Sequence, residues 1–253
     1  MITVRKSEER RHIGNQNKKT WMTFDSENKA DPLQNGFGAL KMLNEELLSP
    51  DSGYILNTHM DMVIVTYVQE GVIIYKGPLE KSDLVEANEF RRVDVPRDTK
   101  QYAFNISHSE DAHIFQSGFA PSESLLKQGE IKKLFTHSER KGILRLIASP
   151  DGRESSLPIQ QNVQMYSTFI HRGNHMIHEL GPGRSAWLHV VKGRILVNHL
   201  HLQTGDGAGF SGERAVSFTA QEPTEILLFN LCGEISKEKE TGLKRQLQTV
   251  EIR

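Results

Sequence analysis

The feature that most limits the folds open to this chain is a hairpin pattern that occurs twice. Residues 62–68 form a β-branched apolar run, closed by Gln69, Glu70 and Gly71 and continued by a second apolar run at 72–75. This reads as two strands joined by a tight glycine turn. The pattern returns at 189–197 around Gly193, 122 residues after Gly71 and close to half the chain away. Two more landmarks follow in the same order: turns leading into strands at 86–90 and 204–210, and closing apolar strands at 112–119 and 225–231. Repetition in register predicts two copies of one β-barrel or sandwich unit, each of roughly 110–120 residues.

Short runs at 89–93, 101–105, 165–170, 175–180, 187–191, 194–197 and 215–218 carry the same texture, bounded by Gly, Asp, Asn or Pro. Amphipathic helices are expected only at 40–48 and 123–135, and no β-α-β alternation is visible. Turn-formers cluster at 149–158, which suits a linker. The organisation expected is therefore a first domain over 1–148, a second over 149–233 and a polar tail over 234–253. The basic residues Arg5, Lys6, Arg10, Arg11, Lys18 and Lys19, diluted by Glu8 and Glu9, read as a solvated N-terminal segment.

Charge and cysteine usage exclude several function classes. Lys and Arg number 31 against 32 Asp and Glu, a net −1, so bulk charge gives no reason to expect direct binding to nucleic acid or to an anionic membrane. One cysteine, Cys232, leaves no intrachain disulfide and no multi-cysteine metal site; it reads as a small buried hydrophobe. The densest apolar stretch, 62–68, is far too short to span a membrane, and the first eleven residues lack the apolar core of a secretory signal. A cytoplasmic protein is expected. A monomer is expected too, since two barrels in one chain cover the sheet surface that single-barrel dimers share.

Several segments together resemble the pirin family of double-barrel cupins. They are 21–24, Asp31 with Pro32, 36–45, Gly53 with Tyr54, His59 with Asp61 and Met62, and 66–71. Order and spacing match bacterial pirin-like proteins through about Pro121. Residues 149–151 suit the family's interdomain stretch, and 187–193 and 225–229 suit its second barrel. The resemblance implies an all-β fold of two tandem cupin (jelly-roll) barrels packed together, with few short helices. It further implies a metal in the first barrel, held by a His-x-His pair and a later His-x-Glu pair. Residues i and i+2 of a strand share a face, so two such pairs on neighbouring strands can converge inside a barrel. Some members oxidise flavonols such as quercetin, and eukaryotic ones are described as transcription cofactors.

Carried onto this chain, the first pair falls on Asn57 and His59 and the second on Gln101 and Ala103. Only His59 is retained. Neutral amides and a methyl group lack the donor strength that an iron, copper or zinc site needs. The expectation is a pirin-like protein without its catalytic metal, with no cofactor and with catalytic residues unassigned, whose first barrel keeps a pocket at Asn57, His59, Gln101 and Ala103. It would bind a small ligand or a protein partner. The alternative is a flavonol dioxygenase with an atypical site, holding iron or another divalent transition metal at low occupancy. Replacement ligands are not evident. His113 reads as a hydrogen-bonded strand histidine, His175 and His178 face opposite sides of a strand, and His199 and His201 lack a third ligand. Asp61 shares the His59 face on a regular strand but reads better as a solvated or turn-bound carboxylate.

Overall fold

The computed structural model describes residues 1–76, 82–120, 129–159 and 161–232. Twelve strands precede the one short α-helix among these residues: β1 (Ile2–Arg5), β2 (Arg11–Gly14), β3 (Lys18–Met22), β4 (Leu40–Leu48), β5 (Gly53–Asn57), β6 (Met62–Glu70), β7 (Val72–Lys76), β8 (Ser82–Glu86), β9 (Glu89–Val95), β10 (Lys100–Asn105), β11 (Ala112–Phe119) and β12 (Glu130–Leu134). After the helix, α1 (His137–Arg140), come β13 (Arg145–Ser149), β14 (Leu157–Pro158), β15 (Val163–Ile170), β16 (His175–Glu179), β17 (Arg184–Lys192), β18 (Arg194–Val197), β19 (Leu200–Gln203), β20 (Gly207–Ser211), β21 (Ala215–Ala220) and β22 (Thr224–Cys232). No helix among the described residues is long and apolar enough to cross a membrane.

The strands make two barrels that share their central topology. The first has a seven-stranded sheet, β12-β9-β6-β11-β4-β3-β2, and a four-stranded sheet, β5-β10-β7-β8. The second has β1-β20-β17-β22-β15-β13-β14 and β16-β21-β18-β19. The inner strands β9-β6-β11-β4 and β20-β17-β22-β15 and the two four-stranded sheets correspond in order, while the edges differ (β2 and β3 antiparallel, β13 and β14 parallel), so the repeat legible in the sequence is a structural duplication of the barrel bodies. Gly71 and Gly193 occupy the same hairpin corner, with φ of 82° and 98°. A Cβ at Gly193 would lie 2.5 Å from the Pro223 carbonyl oxygen. Gly193→Ala is therefore expected to cost about 1–3 kcal/mol through backbone strain, more if Pro223 cannot move, and thermal melting would check it.

The two large sheets pack face to face. One hydrophobic cluster takes Val63, Val65, Tyr67, Phe90, Phe115 and Phe119 from the first barrel and Met165, Trp187, Leu227 and Phe229 from the second. This explains why β6 reads as an unbroken apolar run. Its odd residues face the second barrel and its even ones face its own interior, so neither side meets water. β5 and β10 alternate instead, with one face open to solvent.

Three expectations are corrected. Residues 40–48 are strand, not helix: Leu40, Leu43, Asn44 and Leu47 have helical spacing, but β4 lies between β3 and β11 with both faces covered, and tertiary pairing overrides the local pattern. Within 123–135, Glu130–Leu134 is a strand paired with β9, and 123–128 lies outside the described residues. The turn-formers at 149–158 join β13 to β14 inside the second barrel rather than joining the barrels, so a division at 148/149 cuts through a sheet. The expected tail, 234–253, lies outside the described residues.

The N-terminal segment is not a solvated arm. β1 pairs with β20, placing residues 2–5 in the second barrel's sheet while 11–14 belong to the first. Arg5 binds both oxygens of Asp31 at 2.5 and 2.6 Å. Arg10, 6% exposed, reaches Glu45 at 2.6 Å and the Gly205 carbonyl at 3.3 Å, linking the two barrels. Ile2 and Val4 pack on the second barrel's core. That apolar alternation was the signal in the sequence, and the surrounding charges masked it.

Candidate functional site in the first barrel

The four positions carried over from the family do not converge. In the antiparallel β5–β10 pair, Asn57 lies opposite Lys100, and both are exposed. Gln101 lies opposite Leu56 and Ala103 opposite Tyr54, and these point into the barrel. Because side chains alternate along a strand, Asn57 and Gln101 occupy opposite faces of the same ladder. The inward register of β5 is held by Tyr54 and Leu56, the residues that pack on the barrel's apolar clusters. His59 lies past the end of β5 and is exposed; its carbonyl accepts from Arg97 Nε at 3.1 Å. Asp61 accepts from the Arg97 backbone N–H at 2.7 Å, a turn-bound carboxylate.

Around Ala103 the barrel is lined by residues that motif reasoning did not single out. Ala103 pairs with Tyr54 on one side and Tyr75 on the other, so two tyrosines flank this inward position. The large sheet contributes Glu46 from β4, Thr66 from β6, Arg91 from β9 and Gln116 from β11. Thr66 and Gln116 are fully buried, and Glu46, Tyr75 and Arg91 are each 2% exposed. Thr66 is register partner to both Gln116 and Arg91. The signal for them was parity: each is a polar residue at an inward position of an otherwise apolar strand.

This layer is only half satisfied. Glu46 Oε1 meets Lys18 Nζ at 3.1 Å, and the same ammonium lies 3.7 Å from the centre of the Tyr54 ring. The Arg91 guanidinium stacks 4.4 Å over Tyr75 and binds Glu130, with Asp83 at 3.5 Å. Yet Glu46 Oε2 and the hydroxyls of Tyr54, Tyr75 and Thr66 reach one another only off standard hydrogen-bond geometry, and both amide atoms of Gln116 are buried with no partner. Burial pushes the Tyr75 hydroxyl up to about 12, and burial together with the nearby Glu46 carboxylate pushes Tyr54 well above its ordinary value. Both phenols therefore keep their protons at neutral pH and can donate.

A second polar group lies between the barrels. Tyr67 OH donates to Glu225 Oε1 at 2.5 Å, and the fully buried Arg140 reaches the same oxygen at 3.0 Å. Burial holds Glu225 above the usual carboxylate range despite these partners. Nearby, Glu45 receives Arg10 and, at 2.8 Å, His113 Nε2. Burial alone would raise Glu45, but His113 and Arg10 outweigh it and pull it to about 2. His113 is thus the hydrogen-bonded strand histidine expected. It faces the second barrel, while Gln116 on the same strand faces the first barrel's interior. The other histidines stay apart: His175 binds Thr219, His178 binds Asn230 and His201 binds Gln221. Cys232 is half-buried at the end of β22. A broad depression of about 940 Å³ lies elsewhere, between Phe37 and Gly183, and is lined by none of the four carried-over positions.

Comparison with known proteins agrees with this architecture. A family model described as the quercetinase C-terminal cupin domain matches residues 146–231, the extent of the second barrel from β13 to β22. A curated quercetin 2,3-dioxygenase of Escherichia coli K12 is 30% identical over 231 residues, 91% of this chain and 99% of the relative. The chain belongs to the pirin family. A pirin-like protein of Caulobacter vibrioides is 27% identical over 199 residues, covering 78% of this chain and 85% of that protein. The crystal structure of the bacterial pirin YhhW from Escherichia coli in complex with nickel(II) aligns with a TM-score of 0.82 at 29% identity, covering 92% of this chain and all of that one.

A pirin relative thus carries a metal, and the donor set of this pirin-family chain can be tested against one. At the carried-over positions the inward groups are a neutral amide, Gln101, and a methyl, Ala103; the amide of Asn57 faces outward and the imidazole of His59 lies beyond the strand. Among the described residues no three of His, Cys, Asp or Glu are placed to hold an ion together. The side chains at these four positions do not fit a centre of three His and one Glu.

Proposed function

We propose that this pirin-family protein works through the polar interior of its first barrel, as a metal-independent binder of a small, uncharged, multiply hydroxylated molecule. The observation that carries the reading is a buried polar layer in which Glu46, Tyr54, Tyr75 and Thr66 reach one another only off standard hydrogen-bond geometry and both amide atoms of Gln116 have no partner. Buried polar groups are almost always hydrogen-bonded, and each one left unpaired costs about 1–3 kcal/mol, so the Gln116 amide above all calls for a guest that supplies a donor and an acceptor. The charges beside it are already matched, Lys18 with Glu46 and Arg91 with Glu130, which favours a neutral ligand over an ionic one. Tyr54 and Tyr75 would donate, Glu46 would accept, and the Gln116 amide would do both. A cytoplasmic setting belongs to the same proposal.

The competing reading is metal-dependent flavonol oxidation, favoured by the names of the curated relatives and by the nickel complex of a pirin. Elemental analysis separates the two. Purified protein is expected to hold well under one equivalent of transition metal and to consume no oxygen with quercetin after incubation with nickel, iron, copper or manganese salts. Stoichiometric metal that vanishes in His59→Ala, or sustained quercetin turnover, would hand the case to the dioxygenase. For the binding reading, a screen of polyhydroxylated compounds should raise the melting temperature of the wild type and not of Tyr54→Phe/Tyr75→Phe. Equal shifts in both proteins would move the ligand out of this barrel.

A further inference from the structure

The duplication supplies an internal control for surfaces. The small sheets β5-β10-β7-β8 and β16-β21-β18-β19 have the same strand order, so their solvent faces correspond. On the second barrel that face is polar: Ile177 is flanked by Ser217, and Leu196 lies between Thr219 and His201. On the first barrel it is apolar. Ile55 (53% exposed) lies opposite Tyr102 (49%), and Phe104 (41%) lies opposite Ile74, which in turn pairs with Leu84 (37%). Ile106, 39% exposed, extends the stripe. These side chains are register neighbours, so they form one patch across four strands. Solitary exposed apolar residues are ordinary, but a contiguous patch on one of two duplicated faces points to a partner.

We infer that this face is a self-association surface, on which a second copy of the chain packs its own β5-β10-β7-β8 sheet about a two-fold axis. Charge favours that occupant, and area permits it. Five large side chains near half exposure present about 400 Å² of apolar surface, within the range of the largest patches on soluble monomers. Two copies face to face would cover about 800 Å², and their polar rims would bring the total towards the ~1,200 Å² at which specific interfaces begin. Sheets of ordinary twist stack in this way through interdigitating side chains. The rim is also polarised: exposed Lys76 and Lys100 stand at one end of the strands and exposed Glu86 at the other, beside Val72. A two-fold axis lying across the strands sets the basic end of one copy over the acidic end of its mate. This modifies the monomer expected from the sequence, where only the sheets covered within the chain were counted.

Sedimentation velocity on the full chain, from ~1 to ~200 μM, tests the inference. A reversible monomer–dimer equilibrium is expected. Phe104→Asp should weaken it at least tenfold, while Ile177→Asp on the corresponding face of the second barrel leaves it unchanged. Glu86→Lys alone should also weaken the dimer, and adding Lys76→Glu should restore it, a rescue that loss of folding would not mimic. A monomer throughout the range, a dimer indifferent to Phe104→Asp, or one equally sensitive to Ile177→Asp would overturn the inference. None of these outcomes depends on whether the barrel interior binds a ligand.

Discussion

Replacing Arg140 with alanine is expected to cost about 3–5 kcal/mol, the loss typical when one partner of a buried ion pair is removed. Arg140 is fully buried between the barrels. One guanidinium nitrogen reaches Glu225 at 3.0 Å, Ser167 at 3.1 Å and Tyr67 at 3.1 Å, and the other binds Asn88. Its plane also lies 4.4 Å over the Phe169 ring. Without it, Glu225 would be left almost wholly buried with no positive partner, only the Tyr67 phenol and the Gln69 amide as donors. Urea denaturation of Arg140→Ala gives the measurement. The cause can be isolated with Arg140→Met/Glu225→Leu, which removes both charges and should recover most of the loss. If the double variant is no more stable than the single one, the deficit comes from lost packing and not from an uncompensated carboxylate.

Acid should destabilise the protein from near neutrality downward, and His189 should be a leading contributor. Both ring nitrogens of His189 are buried without a partner, and the residue is fully covered. Burial, then the adjacent Arg10, push its pKa down from 6.5 to about 3, partly offset by Glu45. Below pH 6.5 the unfolded chain takes up a proton that the folded one refuses, so stability present above 6.5 is lost as pH falls towards 3. The full shift corresponds to roughly 5 kcal/mol. Glu45 acts in the same direction over a lower window. Its folded pKa of about 2 lies below the ordinary 4.5, so its contribution disappears between those values. Arg10, Glu45 and His113 are the charged or titratable groups acting on His189. Stability of the wild type minus that of His189→Asn, followed from pH 7 to pH 4, should change by about 1.4 kcal/mol per pH unit below 6.5. A pH-independent difference would show that His189 does not titrate as its surroundings demand.

The duplicated hairpin, the family and the all-β architecture were legible because they rest on local patterns. Positive-φ glycines at 71 and 193, β-branched runs and turn residues carry strand and corner information in themselves. The polar layer of the first barrel was visible only as parity. Thr66 in an apolar run and Gln116 in another become inward residues once both strands are known to lie in one large sheet. Segment 40–48 illustrates the limit: its leucine spacing suits a helix, and only the β3 and β11 neighbours make it a strand. The basic N-terminal residues show the same limit, since partners such as the buried Asp31 and the half-buried Glu45 lie 26 and 35 residues away in sequence.

By itself the sequence determined that two like barrels follow one another, and the family resemblance led to positions 57, 59, 101 and 103 as the ones to inspect. Tertiary structure decided which way those positions face. A one-residue change of parity sends a side chain to the opposite side of a sheet, and here the packing of Tyr54 and Leu56 against the barrel core turns Asn57 outward beside Lys100. It also decided that strand β1 leaves the barrel nearest in sequence to complete the other. Hydrogen-bond partners in a sheet are chosen by which edges meet in space, a property that no stretch of residues carries alone.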